Sequence, residues 1–434
     1  MKRDIYKKLL EWKHWKRRKP LILRGARQVG KTYLLEEFAR NEYDNHVYLN
    51  FEDDSTLDAF FTRRFDIEKI ISHLSAYGGV KVSPGSTLII FDEVQASNSA
   101  LNALKYFNER ANEYHIAAAG SLLGIKLSGQ RSFPVGKVDF LDLYPLSFLE
   151  FLDAMGKTAL RELIENNGSA FNPFPEPFHV ELTDLLKHYY FTGGMPDAVV
   201  AYSETKNFGE TRRIQNNIID AYMLDFAKHA DKTEVMKISS VWSSIPLHLS
   251  KENKKFIFSV IDKSARARDY ENALQWLLDA GLIYKSFNIS SPHLPLKAYV
   301  SPNIFKVFLL DVGLLGAMAN LSPSTLIHGN TIFTHFHGAL VENYVVQQLR
   351  ARFMENLFYW TSPGKAEVDF ILPFNERVYP LEAKAGINPK SKSLKVYHEK
   401  YKPDILSRTT LLNLKKDGNV ANYPLYAISL FPIL

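Results

Sequence analysis

The sequence predicts an α/β protein built around a parallel sheet, followed by a helical region and a second α/β region. Up to about residue 145, short apolar runs alternate with helical patterns, as is typical of a parallel sheet with helices on both faces; these runs are Leu21–Arg24, Val47–Phe51, Leu88–Phe91 and Ile116–Ala119. Of the 434 residues, 46% are hydrophobic and 23% are charged. These proportions are ordinary for globular domains and exclude a disordered chain.

The length leaves room for about two to four domains, and four regions can be distinguished along the chain. Residues 1–145 hold the predicted parallel sheet and a basic N-terminal helix. Residues 146–240 are helical in pattern and are expected to form a lid. Residues 241–320 combine short helices with two strand-like runs, and residues 325–434 form the final α/β region.

Composition limits the kind of site and the compartment. The absence of cysteine excludes disulfides, thiol nucleophiles and thiolate metal sites, and it fits a reducing, cytoplasmic interior. No apolar run approaches the roughly 18 residues of a membrane span, so we expect no membrane partner. The net charge of +6 comes from residues 1–19, which carry nine Lys and Arg against two acidic residues. This segment is interpreted as a short amphipathic helix, either solvated and packed on the protein or contacting a phosphate backbone.

The most specific motif is a full match to the pattern G-x-x-x-x-G-K-[ST], and it reads Gly25-Ala26-Arg27-Gln28-Val29-Gly30-Lys31-Thr32. An apolar run, Leu21–Leu23, precedes it and a helical pattern follows it, which is the context that a phosphate-binding loop requires. The glycines let backbone N–H groups point inward, and the helix N-terminus adds partial positive charge. We expect Lys31 to reach the β and γ phosphates of a nucleoside triphosphate, and the Thr32 hydroxyl to bind Mg²⁺.

Two carboxylates follow the apolar run Leu88–Phe91 directly. We expect Asp92 to hold the metal through water and Glu93 to orient or deprotonate the attacking water. Ser121 ends the next predicted strand, where it could sense the γ-phosphate. Arg131 and Lys137, further along the chain, are candidates for a transition-state cation, although each alone is better explained as a surface charge.

These residues also carry a family resemblance. The segments Gly25–Thr32, Asp92-Glu93, Ala119–Gly124 and Asp142–Phe148 together resemble the prokaryotic AAA+-type ATPases that pair an ATPase domain with a C-terminal domain of uncharacterised function, DUF4143. The resemblance implies a P-loop NTPase core that uses ATP and Mg²⁺. Gly136-Lys137 stands where that family often has Gly-Arg, so the identity of an arginine finger stays open.

The region 241–320 is similar to a winged helix-turn-helix, which the family resemblance also implies. A helical pattern over Tyr270–Ala280 is followed by the strand-like runs Gly281–Ile289 and Leu296–Leu310. Such a segment could contact DNA or serve only to couple domains. Arg266 and Arg268 are few cations for a groove-binding helix, so both interpretations stay open.

A predicted hairpin near the C-terminus brings four polar residues together. With its turn centred between Asn375 and Glu376, the hairpin places Asp369 opposite Glu382 and Glu367 opposite Lys384, all on one face. Two facing carboxylates repel each other, and a proton, a cationic side chain or a divalent metal must offset that repulsion.

The arrangement resembles the PD-(D/E)XK nuclease core. The resemblance implies that Asp369 and Glu382 hold Mg²⁺, that Lys384 positions or activates water, and that Glu342 is the additional acid on the preceding helix. A salt-bridged remnant of such a site and simple surface pairing are the alternatives.

The sequence thus predicts an Mg²⁺-dependent AAA+-type ATP-binding and hydrolysing switch, coupled to a restriction-endonuclease-like C-terminal domain that binds or processes DNA. The alternative is a signalling switch whose nuclease-like domain is degenerate and does not cleave. A pure DNA-binding regulator is a third interpretation. Nucleic acid is the expected partner, and a ring, a dimer and a monomer all stay open.

Overall fold

The computed structural model describes residues 1–433, apart from 62–64, 122–133, 135, 168–170, 230, 231, 252, 253, 325–335, 354, 355, 365 and 387–390. Its contacts divide the chain into two compact units. The first consists of Met1–Tyr144 with Asp279–Gly281, and the second of Pro145–Leu278 with Leu282–Leu434.

The first unit is built on a five-stranded parallel sheet, and its strands in chain order are β1 (Leu21–Gly25), β2 (Asn45–Asn50), β3 (Thr87–Asp92), β4 (His115–Ser121) and β5 (Asp139–Asp142). The spatial order is β2-β3-β4-β1-β5, so β1 lies between β4 and β5. All six residues of β3 and all seven of β4 are buried, as expected for strands covered on both faces. The four apolar runs of the sequence therefore form strands of this sheet, and the prediction of a parallel α/β region is confirmed.

In the described part of the first unit, four α-helices accompany this sheet: α1 (Tyr6–His14), α2 (Lys31–Glu42), α3 (Ile67–Gly78) and α4 (Asn98–Arg110). Short 3-10 helices lie at Ser55–Phe60 and Val94–Ala96. Two of the helix starts are fixed by side-chain caps, since Asp66 accepts a hydrogen bond from the Lys69 N–H and Ser97 from the Ala100 N–H. The predicted amphipathic N-terminal helix is α1, which buries Leu9 and Trp12.

Ten further α-helices lie in the described part of the chain after residue 145: α5 (Phe148–Ala154), α6 (Thr158–Asn166), α7 (Glu176–Thr192), α8 (Pro196–Thr205), α9 (Phe208–His229), α10 (Lys232–Ser250), α11 (Ala267–Asp279), α12 (Val312–Met318), α13 (His337–Phe353) and α14 (Lys392–Tyr401). A capping box starts α5, because the Ser147 and Glu150 side chains each bond the other's backbone N–H. Short 3-10 helices lie at Phe258–Val260, Leu296–Tyr299 and Leu425–Leu430. No helix that the structure describes has both the length and the apolar character needed to cross a membrane.

The second unit contains an eight-stranded mixed sheet, with strands β6 (Ile283–Ile289), β7 (Val300–Leu309), β8 (Leu357–Thr361), β9 (Glu367–Phe374), β10 (Arg377–Ala383), β11 (Leu406–Thr410), β12 (Lys415–Asp417) and β13 (Val420–Pro424). Their spatial order is β12-β13-β11-β10-β9-β8-β6-β7. Its apolar core includes Trp360, Val368, Ile371 and Leu394, all at most 1% exposed.

The hairpin expected in the winged-helix region is present, because β6 and β7 pair antiparallel. The sequence assigns this hairpin to a connector separate from the C-terminal region, whereas in the structure β6 pairs in parallel with β8 and the two regions share one sheet. Local hydrophobic patterns specify that a strand forms, but they do not specify a partner about 70 residues away along the chain.

Candidate functional site

A sharply curled loop joins β1 to α2 in the first unit, and it is the predicted phosphate-binding loop, residues Gly25–Thr32. Gln28 and Gly30 take left-handed backbone conformations, with φ of 63° and 89°. At Gly25, a β-carbon would lie only 2.5 Å from the carbonyl oxygen of Leu143, so glycine alone fits there. The loop ends where α2 begins at Lys31, which leaves the first backbone N–H groups of that helix without helical partners.

Lys31 is the charged group inside this loop. Its side chain is buried, and its Nζ donates hydrogen bonds to the carbonyl oxygens of Gly25, at 3.2 Å, and Ala26, at 2.9 Å. Burial lowers the pKa of Lys31 to about 8, although the carboxylates of Glu93 and Asp92 partly oppose the shift. Within the described residues Lys31 forms no salt bridge, so its ammonium is available to an incoming anion.

Asp92, at the end of β3, lies beside the first turn of α2. Its Oδ2 accepts hydrogen bonds from the Thr32 hydroxyl, at 2.8 Å, and from the Tyr48 hydroxyl, at 2.7 Å. A hydroxyl and a buried carboxylate in contact are oxygen ligands of the kind that Mg²⁺ takes, so Thr32 and Asp92 fit the metal that the sequence predicts here. Tyr48 was missed by the sequence analysis, since a single tyrosine in a strand gives no signal of such a contact.

Glu93 follows Asp92 with a left-handed backbone, at φ 47° and ψ 43°. This conformation is uncommon for a residue other than glycine and is found disproportionately at functional sites. The Glu93 N–H donates to Asp92 Oδ1 at 3.0 Å, and the Gln95 amide donates to Glu93 Oε2. The turn after β3 therefore fixes the two carboxylates relative to each other.

Of the other residues singled out in the sequence, Ser121 is buried at the end of β4, directly beside Gly25 in the sheet register. Lys137 lies 2.9 Å from Glu109 Oε1 in an ion pair, so its charge has a local partner. Arg131 and the segment 122–124 lie outside the described residues.

The family comparisons agree with this geometry. A model described as an AAA domain matches residues 17–152, and a model described as DUF4143, a domain of unknown function, matches residues 337–428. The chain carries an AAA domain and a DUF4143 domain. A third model, DUF8612, also described as a domain of unknown function, matches residues 183–325, between the other two.

Several solved structures are similar to this chain. The Walker-type ATPase of Pyrococcus abyssi is 14% identical, over 73% of this chain and 95% of that one, with a TM-score of 0.46. The Aeropyrum pernix Orc1 protein in complex with DNA is 12% identical, over 73% of this chain and 90% of that one, with a TM-score of 0.29. Cdc6p from Pyrobaculum aerophilum is 10% identical, over 75% and 96%, with a TM-score of 0.26. No curated protein matches the chain.

The DUF4143 domain contains the second group of predicted site residues, on the β9–β10 hairpin. The predicted register is confirmed from Phe370 opposite Leu381 to Phe374 opposite Arg377. Asn375 and Glu376 form the turn with φ of 45° and 59°, as expected for a two-residue hairpin loop. Continued by one pair, this register sets Asp369 opposite Glu382, and Asp369 Oδ2 accepts a hydrogen bond from the Ala383 N–H at 2.9 Å.

A buried lysine that the sequence analysis missed lies among these carboxylates. Lys306 of β7 is 1% exposed, and its Nζ lies 3.2 Å from Glu342 Oε2, 2.5 Å from Glu367 Oε1 and 3.8 Å from Asp369 Oδ1. Lys254 pairs with the other oxygen of Glu342. We call Lys254, Lys306, Glu342, Glu367 and Asp369 the C-terminal charge cluster. The sequence contains one signal of this contact. Lys306 stands inside the apolar run Leu296–Leu310, and a buried lysine almost always has an acidic partner.

Electrostatics in this cluster follow from burial and pairing. Burial opposes the charge of Lys306, but Glu342, Glu367 and Asp369 outweigh it and raise the pKa of Lys306 above its ordinary value. Burial likewise disfavours the charged form of Glu342, but Lys254 and Lys306 outweigh it and hold the pKa of Glu342 below its ordinary value. For Asp369 burial dominates and, with the charge of Glu342, raises its pKa.

Glu382, in β10, and Lys384, directly after β10, form an ion pair of their own. Lys384 Nζ lies 3.2 Å from Glu382 Oε1, whereas the buried Glu382 Oε2 has no hydrogen-bond partner among the described residues. No group of three or more acidic or histidine side chains in the described ranges is arranged to hold a metal ion. Each of the two carboxylates predicted to hold a metal has a nearby cation in the described structure, Lys306 at Asp369 and Lys384 at Glu382.

Proposed function

We propose that this protein is an Mg²⁺-dependent ATPase whose AAA domain works as a nucleotide switch. The observation that carries the proposal is the phosphate-binding loop, where the buried Lys31 ammonium, which pairs with no carboxylate among the described residues, is followed by the Thr32–Asp92 pair. A curled loop with a cation inside and an acid at the next strand is built to bind a metal-complexed triphosphate.

Each residue has a defined task in this proposal. The loop amides and Lys31 bind the phosphate oxygens, while Thr32 and Asp92 hold Mg²⁺, which neutralises charge on those oxygens. Glu93 orients the attacking water and accepts its proton at a carboxylate oxygen, and the left-handed turn at Glu93 fixes where that oxygen lies. Ser121, adjacent to Gly25, would report whether the γ-phosphate is present.

Two substitutions in the full chain test this assignment. Lys31→Ala should weaken ADP and ATP binding by about 100-fold or more, because a buried charge-assisted contact to phosphate is lost. Glu93→Gln should bind ATP normally but hydrolyse it about 10²–10⁴ times more slowly, the usual contribution of a general base. Calorimetry and phosphate release measure the two effects, and Glu68→Gln, at an exposed residue of the same domain, is the control. Normal hydrolysis by Glu93→Gln would contradict its role.

For the DUF4143 domain, we propose a nuclease-like centre that does not cleave. The support is the C-terminal charge cluster, in which the Lys306 ammonium lies where a metal would have to neutralise Glu342, Glu367 and Asp369. The protein is then a signalling or regulatory switch that reads its nucleotide state through the AAA domain.

A DNA-processing nuclease is the second candidate, favoured by Glu382, which lies on the same hairpin as Asp369 and whose buried Oε2 has no hydrogen-bond partner in the part of the chain that the structure describes. A plasmid-cleavage assay with Mg²⁺ or Mn²⁺, in the presence and absence of ATP, separates the two. The non-cleaving centre predicts no product from wild type. Cleavage that disappears in Asp369→Ala and Glu382→Ala, but persists in Lys31→Ala without ATP, would establish the nuclease instead.

A further inference from the structure

A buried arginine connects the N-terminal basic segment to the phosphate-binding loop. Arg3 precedes α1 and lies outside the residues 17–152 that match the AAA model. It is 9% exposed; its Nη1 donates to the Val29 carbonyl oxygen at 3.1 Å and its Nη2 to the Tyr144 carbonyl oxygen at 2.5 Å. The sequence predicts that this segment is solvated and packed on the protein or contacts a phosphate backbone, but Arg3 is buried, so one of its cations has a different environment.

The Val29 carbonyl belongs to the peptide unit that carries the Gly30 N–H. In a planar trans peptide these two groups point to opposite sides, so fixing the carbonyl also fixes the N–H. This peptide joins Val29 to Gly30, and Gly30 is left-handed, with φ of 89°. Because glycine accepts positive and negative φ almost equally, the unit could rotate at low cost unless something holds it.

Arg3 provides that restraint from outside the loop. Its guanidinium is a rigid planar fork that bonds both Val29 and Tyr144, and Tyr144 is in the segment that follows β5. The neighbouring Leu143 carbonyl packs against Gly25 so closely that no side chain fits there. One stretch of backbone, Leu143–Tyr144, thus supports the loop at its first glycine directly and at Val29 through Arg3.

We propose that Arg3 is a positioning residue of the phosphate-binding loop, which holds the Val29–Gly30 peptide so that the Gly30 N–H faces the bound phosphates. This inference rests on the proposed nucleotide binding. Arg3 does not touch the nucleotide in this role; it acts through the orientation of one amide donor. The ligand is a nucleoside diphosphate, and Arg3 sets how tightly the loop binds the phosphates of that ligand.

Calorimetry of the full chain with ADP and Mg²⁺ tests the proposal with four proteins: wild type, Arg3→Met, Arg3→Lys and Arg17→Met. Arg17 is exposed in the same basic segment, so Arg17→Met removes the same charge without touching the loop. We expect Arg3→Met to weaken ADP binding about tenfold, equivalent to about 1.4 kcal/mol. Arg3→Lys keeps the charge but loses the two-pronged fork, so about a threefold loss is expected. Arg17→Met should bind as wild type does.

Steady-state ATP hydrolysis adds a readout that a merely structural role would not produce. Arg3→Met should raise KM for ATP about tenfold with kcat within about twofold of wild type, because the amide contacts phosphate before and during the reaction. Unchanged ADP affinity in Arg3→Met, or in Arg3→Lys if the first variant does not fold, overturns the role of Arg3 while the ATPase proposal stands. An equal loss in Arg17→Met would assign the effect to charge alone. Absence of ADP binding by wild type would overturn both proposals.

Discussion

Each of the two units buries a lysine near carboxylates, and the two lysines are held in opposite ways. Lys31 donates only to backbone carbonyls in the described structure, and burial lowers its pKa. Lys306 lies among three carboxylates, which raise its pKa despite complete burial. A buried cation that is not neutralised by its own protein is available to an anionic ligand, whereas a neutralised one is part of the scaffold. The comparison distinguishes a binding site from a structural cluster that contains similar residue types.

The largest difference between the two lysines should appear in the free energy of unfolding when each is replaced by methionine, which has a similar length and no charge. Lys306→Met leaves Glu342, Glu367 and Asp369 without their shared cation, and we expect the free energy of unfolding to fall by about 3–5 kcal/mol. Lys31→Met should change it by no more than about 1 kcal/mol, because burial already disfavours that charge. Urea titration followed by circular dichroism measures both.

A double substitution controls for the packing change in that experiment. Lys306→Met combined with Glu342→Gln removes one charge of each sign, so its loss should be clearly smaller than the sum of the two single losses. If Lys306→Met and Lys31→Met destabilise the protein equally, the contrast between the two lysines is wrong.

A smaller effect with a defined pH dependence is expected at Asp369, whose pKa burial raises to about 8. The folded state keeps this proton while the unfolded state loses it near pH 4, so the carboxyl lowers stability progressively as the pH rises from about 4 to 8. Asp369→Asn removes this penalty. It should therefore raise the free energy of unfolding at pH 8 and change it little at pH 4.5.

The neighbouring acid provides a control of opposite sign. Glu367 Oε1 lies 2.5 Å from Lys306, so Glu367→Gln should lower the free energy of unfolding at pH 8. Melting curves at pH 4.5, 6 and 8 compare the two variants. A pH-independent change in Asp369→Asn would show that this carboxyl is ionised throughout the range.

In the first unit, Asp92 accepts hydrogen bonds from two hydroxyl groups, those of Thr32 and Tyr48, and the contribution of Tyr48 can be measured by itself. Tyr48→Phe removes the 2.7 Å hydrogen bond to Asp92 Oδ2 and should cost about 1 kcal/mol of unfolding free energy. Tyr77→Phe, at an exposed tyrosine of α3, is the matched control and should be neutral. Equal stability of the two variants in thermal melts would show that Thr32 alone is enough to hold Asp92.

Features set by neighbouring residues could be predicted from the sequence, and features set by distant contacts could not. The strands of the first sheet and the register of the β9–β10 hairpin follow from short apolar runs and from a two-residue turn. The contacts of Lys306 and Arg3 could not be predicted because their partners lie far away along the chain, as Tyr144 does from Arg3. No pattern in a single sequence specifies which strand will bring a lysine to a distant carboxylate.

The smallest effect concerns the charge of Lys31 itself. With a pKa of about 8 in the free protein, about half of the molecules carry a neutral Lys31 at pH 8 and about a tenth at pH 7. If the ammonium is the form that binds phosphate, ADP affinity should be about twofold weaker at pH 8 than at pH 7, because only the charged fraction is competent.

Binding would then also raise the pKa of Lys31 and take up about half a proton at pH 8. Calorimetry in two buffers of different ionisation enthalpy counts that proton. Binding without proton uptake at pH 8 would mean that Lys31 is already fully charged in the free protein, and the difference from Lys306 would then lie in their partners alone.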